Sequence, residues 1–379
     1  MRVVGLMSGT SLDGIDAAVV RFDGEPDALD WGVDGFVSLP FTAAQRTEIH
    51  DAIGRGGPAG LCRLHARLGE WLAAAALDAI RVAALQPADV QLIGSHGQTI
   101  WHEPPRGEER GATLQLGCPA TIAERTGIDV VHDFRARDVA AGGHGAPLVP
   151  WVDRLLFSAV GHTRVLQNIG GMANLTWLPQ RGSAEPLVAF DTGPGNALID
   201  AAVERATLGE ESFDRDAHWG GAGTVDETRL AELMEHPYIG QAPPKSTGRE
   251  VFGRPFVDGL LERGRPEGWN EWADLIATLT AFTAESIAHG IRAWLAPRNV
   301  DEVIVTGGGA RNPLLMALLT AALAPVPVRG GDVLGVDPDA KEAVAFAALA
   351  WAHARGFAGN APEATGARGP RVLGSRTPA

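Results

Sequence analysis

Four times in this chain a short apolar run stops on a cluster of glycines and small polar residues. The clusters are SGTSLDG at 8–14, NIGGMAN at 168–174, DTGPGN at 191–196 and TGGGARN at 306–312. An apolar run of strand length that ends this way specifies a strand followed by a tight bend. Strands that alternate with helical segments specify an α/β protein. Bare main chain at such strand ends lets N–H groups approach an anion closely, and strand ends of an α/β sheet are where ligands sit. For any single turn of the four, an ordinary hairpin loop is the alternative.

The rest of the chain fits that frame. RVVGLM (2–7) and IDAAVVRF (15–22) read as two strands joined by the first turn. A helix is expected over 61–84, where Leu61, Leu64, Leu68, Trp71 and Leu72 share one side. VQLIGSHGQT (90–99) reads as a strand ending in a polar loop, and GIDVVHDFR (127–135) repeats that pattern. From residue 163 the order restarts with strand, glycine turn and strand. LVAFDTGPGNALIDAAVERA then gives strand, turn and helix. Helices follow near 225–236 and 272–296. DEVIVTGGGARNPLLMALLTAAL is strand, glycines, helix, and a last helix begins beside Asp337 or Asp339. Two halves that each open on a glycine hairpin suggest two related lobes facing a common cleft. The tail from about 359 is rich in Gly, Pro and Ala and is expected to be loose.

Several functions are excluded by residues that can be named. The net charge of −14, without a Lys/Arg cluster, argues against a nucleic-acid surface. The start MRVVGLMSGT is interrupted by Gly5, Ser8 and Gly9, unlike a signal peptide. Apolar stretches such as LAAAALDAIRVAAL carry charges and cannot span a bilayer. Cys62 and Cys118 have no metal-ligand spacing, and so few cysteines point to a reducing, cytoplasmic setting. His96, His102, His132 and His144 form no H-E-x-x-H pattern. Neither Ser11 nor Ser95 lies in G-x-S-x-G. A P-loop needs a Lys after its glycines, but the only lysines, Lys245 and Lys341, follow no such loop. Protein kinases need a strand Lys, and a dinucleotide fingerprint needs a helix where a strand follows here. What survives is a phosphate tail held by two hairpins, with the nucleoside near VTGGGARNP.

The ordered set GLMSGTSLDGID, GSHGQT, DFR…DVAAGG.GAPLVP, NIGGMANLT, FDTGPGN, PPKSTGRE, TLTAFTAESI, VTGGGARNP and DAKEA.AFA runs from Gly5 to about Ala350. In that order it resembles the anhydro-N-acetylmuramic acid kinase family, within the sugar kinase, Hsp70 and actin superfamily. The resemblance implies a two-lobed actin-like (ribonuclease H-like) ATPase fold of the α/β class. It also implies an N-terminal lobe over 1–134 joined by a C-terminal helix over 338–357, a second lobe over 135–337, and a tail over 358–379. His144 stands where the family more commonly has Gln, and Gly253 where Asn is usual.

The implied reaction opens a 1,6-anhydro sugar with water and passes the γ-phosphoryl of ATP to the freed O6, with Mg²⁺. It gives N-acetylmuramic acid 6-phosphate in peptidoglycan recycling. Asp191 matches the family's catalytic aspartate and is the expected base; capping of the following helix is the alternative. The nucleotide is expected on Gly9, Thr10, Ser11, Leu12, Asp13, Gly14, Ile15 and Asp16, on Asn168, Gly170 and Gly171, and on Gly307, Gly308, Gly309 and Asn312. Close glycine packing is the alternative for the last group. Asp13 is the expected holder of Mg²⁺, directly or through water; its alternative is turn stabilisation. Ser95, His96, Gln98, Arg135, Thr192 and Glu342 are the expected sugar contacts. Arg135 suits a bidentate grip on the lactyl carboxylate, or a surface ion pair. Glu342 alone reads as first-turn helix electrostatics. Family members resemble homodimers. Two other readings stay open: a superfamily kinase acting on another sugar or an acyl group, and a non-catalytic sugar or nucleotide sensor.

Overall fold

The structure, a computed structural model, describes every residue except Thr10, Arg106 and Glu108, together with the side chain of Arg55. The chain divides into two compact α/β units, residues 1–157 with 336–379, and residues 158–335.

In the first unit, β1 (Arg2–Ser8) and β2 (Gly14–Asp23) form the expected antiparallel hairpin, with Met7 opposite Asp16. β3 (Asp30–Pro40) extends it on the far side of β2. α1 (Ala43–Arg55) and α2 (Pro58–Val82) follow. α2 is helical for the expected reason: Leu64, Leu68, Leu72, Ala76 and Ile80 recur at helical spacing and are all buried. β4 (Leu92–Glu103) lies parallel to β1, and β5 (Ala112–Leu116) turns back along its end. α3 (Pro119–Thr126), β6 (Val130–His132), α4 (Phe134–Ala140) and α5 (Val149–Phe157) complete this segment.

α1 starts on a capping box. Gln45 N–H donates to Thr42 Oγ1 at 3.2 Å, and Thr42 N–H donates to Gln45 Oε1 at 2.8 Å. Replacing Thr42 with Ala should cost about 1 kcal/mol of stability. Urea unfolding should show it as a lower midpoint at unchanged slope.

The second unit holds the sheet β11–β10–β7–β8–β9. Its elements are β7 (Arg164–Ile169), β8 (Met172–Leu178), β9 (Val188–Pro194), α6 (Ala197–Ala206), α7 (Glu227–Met234), α8 (Arg254–Arg263), α9 (Trp269–Trp294), β10 (Glu302–Thr306), α10 (Pro313–Leu323) and β11 (Val328–Gly330). β7 and β8 are antiparallel around Gly170–Gly171, while β10 runs parallel to β7 and sets Thr306 opposite Asn168. α9 is apolar over most of its length and is correspondingly buried.

The chain then returns to the first unit with α11 (Lys341–Arg355), α12 (Pro362–Thr365) and β12 (Ser375–Thr377). α11 lies directly on β1 and β4. A Cβ at Gly5 would stand 1.8 Å from Ala343 O, and one at Gly94 would stand 2.3 Å from Phe346 O. Glycine is required at both positions because helix backbone occupies the space.

Two expectations about organisation are corrected. The first unit runs on to Phe157 and does not stop at 134. α5 packs on α11, where the buried Asp153 carboxylate lies 3.0 Å from Lys341 Nζ. Phe157 meets Trp31 edge-on at 5.6 Å. Nor is the tail loose. β12 pairs antiparallel with β6, Leu373 is 1% exposed, and Leu373 O accepts from His353 Nδ1 at 2.8 Å. Its Gly/Pro/Ala composition conceals this because the segment is held by long-range hydrogen bonds and has no periodic apolar face. Among the described residues, no helix is long and apolar enough to cross a membrane.

Candidate active site

In the first unit the glycine turn is braced from below. Ser8 Oγ donates to Gly14 O at 3.3 Å and, as the closer contact, to Gln98 Oε1 at 2.6 Å. Gln98 Nε2 donates to Gly9 O at 3.2 Å. Gln98 is fully buried. Its amide is therefore engaged with the turn. Leu12 takes a left-handed φ of 57°, and its side chain, like that of Ile15, is buried in the core. Those two residues offer a ligand backbone only. Ser11 and Asp13 are exposed, and Gly9 and Gly14 are partly open. Thr10 lies outside the described residues.

Next to this turn, a polar group forms around His96. His96 Nδ1 donates to Gly97 O at 2.8 Å, and Arg135 Nε donates to His96 Nε2 at 2.9 Å. Those two bonds fix the tautomer: the proton is on Nδ1, and Nε2 accepts. Burial, then the Arg135 charge, pushes the ring down to a pKa of about 3, so it is neutral. The ring lies on Phe346, with centroids 4.6 Å apart. Arg135 Nη1 donates to Gly145 O at 2.8 Å, and Nη2 bonds no described residue. Burial depresses Arg135, while Glu342 pulls it back up. Ser95 Oγ is buried and has no hydrogen-bond partner among the described residues. Glu342 reaches solvent at the first turn of α11, yet the packed protein around it raises its pKa, and Asp16 adds to that. His96, Arg135 and Glu342 thus share one neighbourhood, and Ser95 adjoins His96 in β4.

The carboxylates near the turn bear on magnesium. Asp16 accepts from Ser38; burial raises its pKa, and repulsion from Asp339 and Asp13 adds to that. Among the described residues no three His, Cys, Asp or Glu side chains converge as a metal cage. One or two carboxylates beside a phosphate tail suit an ion that keeps several waters. Asp13 and Asp16 fit that role, and a cation there would relieve their repulsion.

In the second unit, Asp191 sits within β9, opposite Asn174. It is not a helix cap: its carboxylate accepts from Thr247 N–H at 2.9 Å. Its N–H donates to Lys245 O at 3.2 Å, and its carbonyl accepts from Tyr238 OH at 2.8 Å. Burial raises the Asp191 pKa; the Thr247 N–H and then the Lys245 charge hold it back. Thr192, expected against the sugar, is 1% exposed and donates to Ala173 O at 3.1 Å. Period-two alternation turns it away from the Asp191 face and toward Gly290 of α9.

The turn at Gly170–Gly171 is tied to the start of α6. Asn196 N–H donates to Gly170 O at 2.8 Å, and Gly195 N–H donates to Gly171 O at 2.9 Å. A Cβ at Gly195 would lie 2.3 Å from Gly170 O. Gly307, with φ 80°, leaves room for Asn168 Oδ1, which would be 2.7 Å from a Cβ there. Gly309 is pressed on Ile169, 2.4 Å from Cγ2 to a Cβ position, whereas Gly308 is more open. Close packing therefore accounts for Gly307 and Gly309 whether or not a nucleotide binds. Asn312 caps α10, its Oδ1 accepting from Leu315 N–H at 3.0 Å.

The sequence alone reveals no role for PPKSTGRE (243–250). That segment wraps Asp191 and the second turn. Lys245 is buried, and its Nζ donates to Tyr238 O at 3.1 Å and Ile239 O at 3.2 Å. Arg249 lays its guanidinium along Gly171, with Nη2 3.4 Å from a Cβ position there. It also opposes the rise of Asp200, which burial lifts to about 6. The available signal was scarcity: one of only two lysines stands in this segment.

Residues 1–379 match the family model described as anhydro-N-acetylmuramic acid kinase. The anhydro-N-acetylmuramic acid kinase of Caldanaerobacter subterraneus subsp. tengcongensis is 45% identical over 381 residues, covering 98% of this chain and 96% of that protein. The protein of the same name from Salinibacter ruber is 44% identical over 380 residues, covering 98% and 95%. That from Gloeobacter violaceus is 45% identical over 378 residues, covering 99% and 98%.

Proposed function

The chain belongs to the anhydro-N-acetylmuramic acid kinase family, and from that membership we infer an ATP-dependent kinase acting on 1,6-anhydro-N-acetylmuramic acid. It opens the anhydro bridge with water and phosphorylates O6, which returns a cell-wall sugar to metabolism as N-acetylmuramic acid 6-phosphate. We propose that Asp191 is the base for this step.

Water adds to the anomeric carbon, and one of its protons passes to Asp191. The bond from that carbon to O6 breaks, O6 takes the γ-phosphoryl, and ADP leaves. A base is needed because water is a poor nucleophile at neutral pH. The observation that carries the assignment is the anchored Asp191 carboxylate, with Thr247 N–H at 2.9 Å and a buried ammonium nearby. A carboxylate raised by burial is a stronger base than a surface one, and the Thr247 N–H and the Lys245 charge favour its ionised form.

Phosphate binding falls to the turn at Gly9–Gly14 and to Asn168, Gly170 and Gly171. Arg249 beside Gly171 supplies positive charge where charge develops on the phosphoryl group. Gly307, Gly308, Gly309 and Asn312 frame the nucleoside. Asp13 and Asp16 would hold Mg²⁺, partly through water; when bound, the ion neutralises phosphate charge. Neutral His96, Arg135, Ser95 and Glu342 recognise the sugar, with Arg135 Nη2 left for its carboxylate. The enzyme works in the cytoplasm as a homodimer in this reading.

Incubation with ATP, the anhydro sugar and ¹⁸O-water tests the coupling. The label should appear on the anomeric carbon of the product and not on the transferred phosphate. An unlabelled anomeric centre in a phosphorylated product would leave a plain sugar kinase instead.

A further inference from the structure

The tail, expected to be loose, ends up bonded to the residues that hold Arg135. Asp138, on α4, is fully buried. Its Oδ1 accepts from Asn360 Nδ2 at 2.7 Å and from Thr365 Oγ1 at 2.8 Å. Its Oδ2 accepts from Gly145 N–H at 2.8 Å. A Cβ at Gly143 would lie 2.2 Å from that same oxygen, so glycine is needed for the carboxylate to rest there. Thr365 also takes His144 N–H on its carbonyl at 2.7 Å. Gly145, whose N–H donates to that Oδ2, accepts from Arg135 Nη1 on its carbonyl at 2.8 Å, and Arg135 Nε donates to His96 Nε2 at 2.9 Å. Four hydrogen bonds therefore run unbroken from the tail to His96.

We propose that Asn360 and Thr365 are positioning residues for the sugar: through Asp138 and the Gly142–Gly145 turn they set where Arg135 and His96 stand. The inference rests on the reading that Arg135 grips the sugar. A buried carboxylate is fixed in orientation by its donors. Three neutral donors surround this one, so losing either tail donor leaves Oδ1 held by a single bond and frees the carboxylate to turn. The 142–145 turn then loses its register, and with it the carbonyl that aims the guanidinium. A tail that served only to close the sheet edge would need β12 alone, and β12 has its own anchor, the ion pair of Arg376 with Asp129.

The test compares Thr365→Val, Thr365→Ser and Asn360→Ala with Arg376→Ala, which cuts the tail's other anchor. Removing one hydrogen bond of about 1 kcal/mol should raise the KM for the anhydro sugar about fivefold in Thr365→Val and Asn360→Ala. The KM for ATP should stay near wild type, Thr365→Ser should recover the sugar KM, and Arg376→Ala should lose thermal stability without changing it. In parallel, ¹⁵N NMR of the His96 ring should show one Nδ1–H tautomer in the wild type and a mixture in Thr365→Val. An unchanged sugar KM with an unchanged His96 spectrum overturns the inference. So does a rise shared equally by ATP or by Arg376→Ala. Arg135→Lys separates the two levels. If it leaves the sugar KM unchanged, the reading of Arg135 itself is lost; if it raises that KM while the tail variants do not, only the positioning role is lost.

Discussion

Asp191→Asn is expected to lower turnover by at least about 10²–10⁴-fold, with ATP affinity within about twofold of wild type by titration calorimetry. The substitution is nearly isosteric. The amide oxygen still accepts from Thr247 N–H, and the backbone bonds to Lys245 and Tyr238 do not involve the side chain. The fold and the second glycine turn should therefore persist. What disappears is the capacity to take a proton. In this reaction the same step frees the oxygen that receives phosphate, so failure to activate water stops both halves of the chemistry. The loss should sit at the high end of the range for that reason. A variant that keeps turnover within tenfold of wild type would remove Asp191 from the role of base. An intact rate of sugar-independent ATP hydrolysis would be compatible with the assignment, because that water need not meet Asp191.

The parts legible in the sequence are those in which an apolar run and a glycine cluster are adjacent in the chain. β1 with β2, β7 with β8, and β10 with α10 were all readable this way, because local pattern and final structure coincide. β3 was not: its residues are mostly half-buried, and Gly32, Asp34 and Gly35 interrupt any alternation. Site residues divide along the same line. Asp191 and the turns are local features. The work of Gln98 is visible only once β1 and β4 lie side by side, which puts Ser8 against it. Thr192 neighbours Asp191 in sequence but faces the opposite side of β9, so adjacency misleads there. Asp138 reads as one more acid in a short polar helix. Only contacts more than two hundred residues away, to Asn360 and Thr365, give it meaning.

Lys245→Met should move the acid limb of the pH–rate profile to higher pH. The sign follows from the charges. Asp191 must be ionised to accept a proton from water. Burial raises its pKa, and the Lys245 ammonium holds it back, so removing that charge raises it further. A larger share of Asp191 is then protonated at any pH on the acid side, and kcat falls there. Burial lowers the Lys245 pKa in turn, and Asp191 opposes that shift. An opposite charge near a buried carboxylate favours its ionised form, so the variant should lose proportionally more activity at pH 6 than at pH 9. The pH dependence separates this from a purely structural role. Lys245 also ties down Tyr238 and Ile239, and loss of that anchor alone would depress kcat by the same factor at every pH. A profile that drops without changing shape would assign Lys245 to the loop. A displaced acid limb, with activity recovering at alkaline pH, would assign it to the ionisation of Asp191.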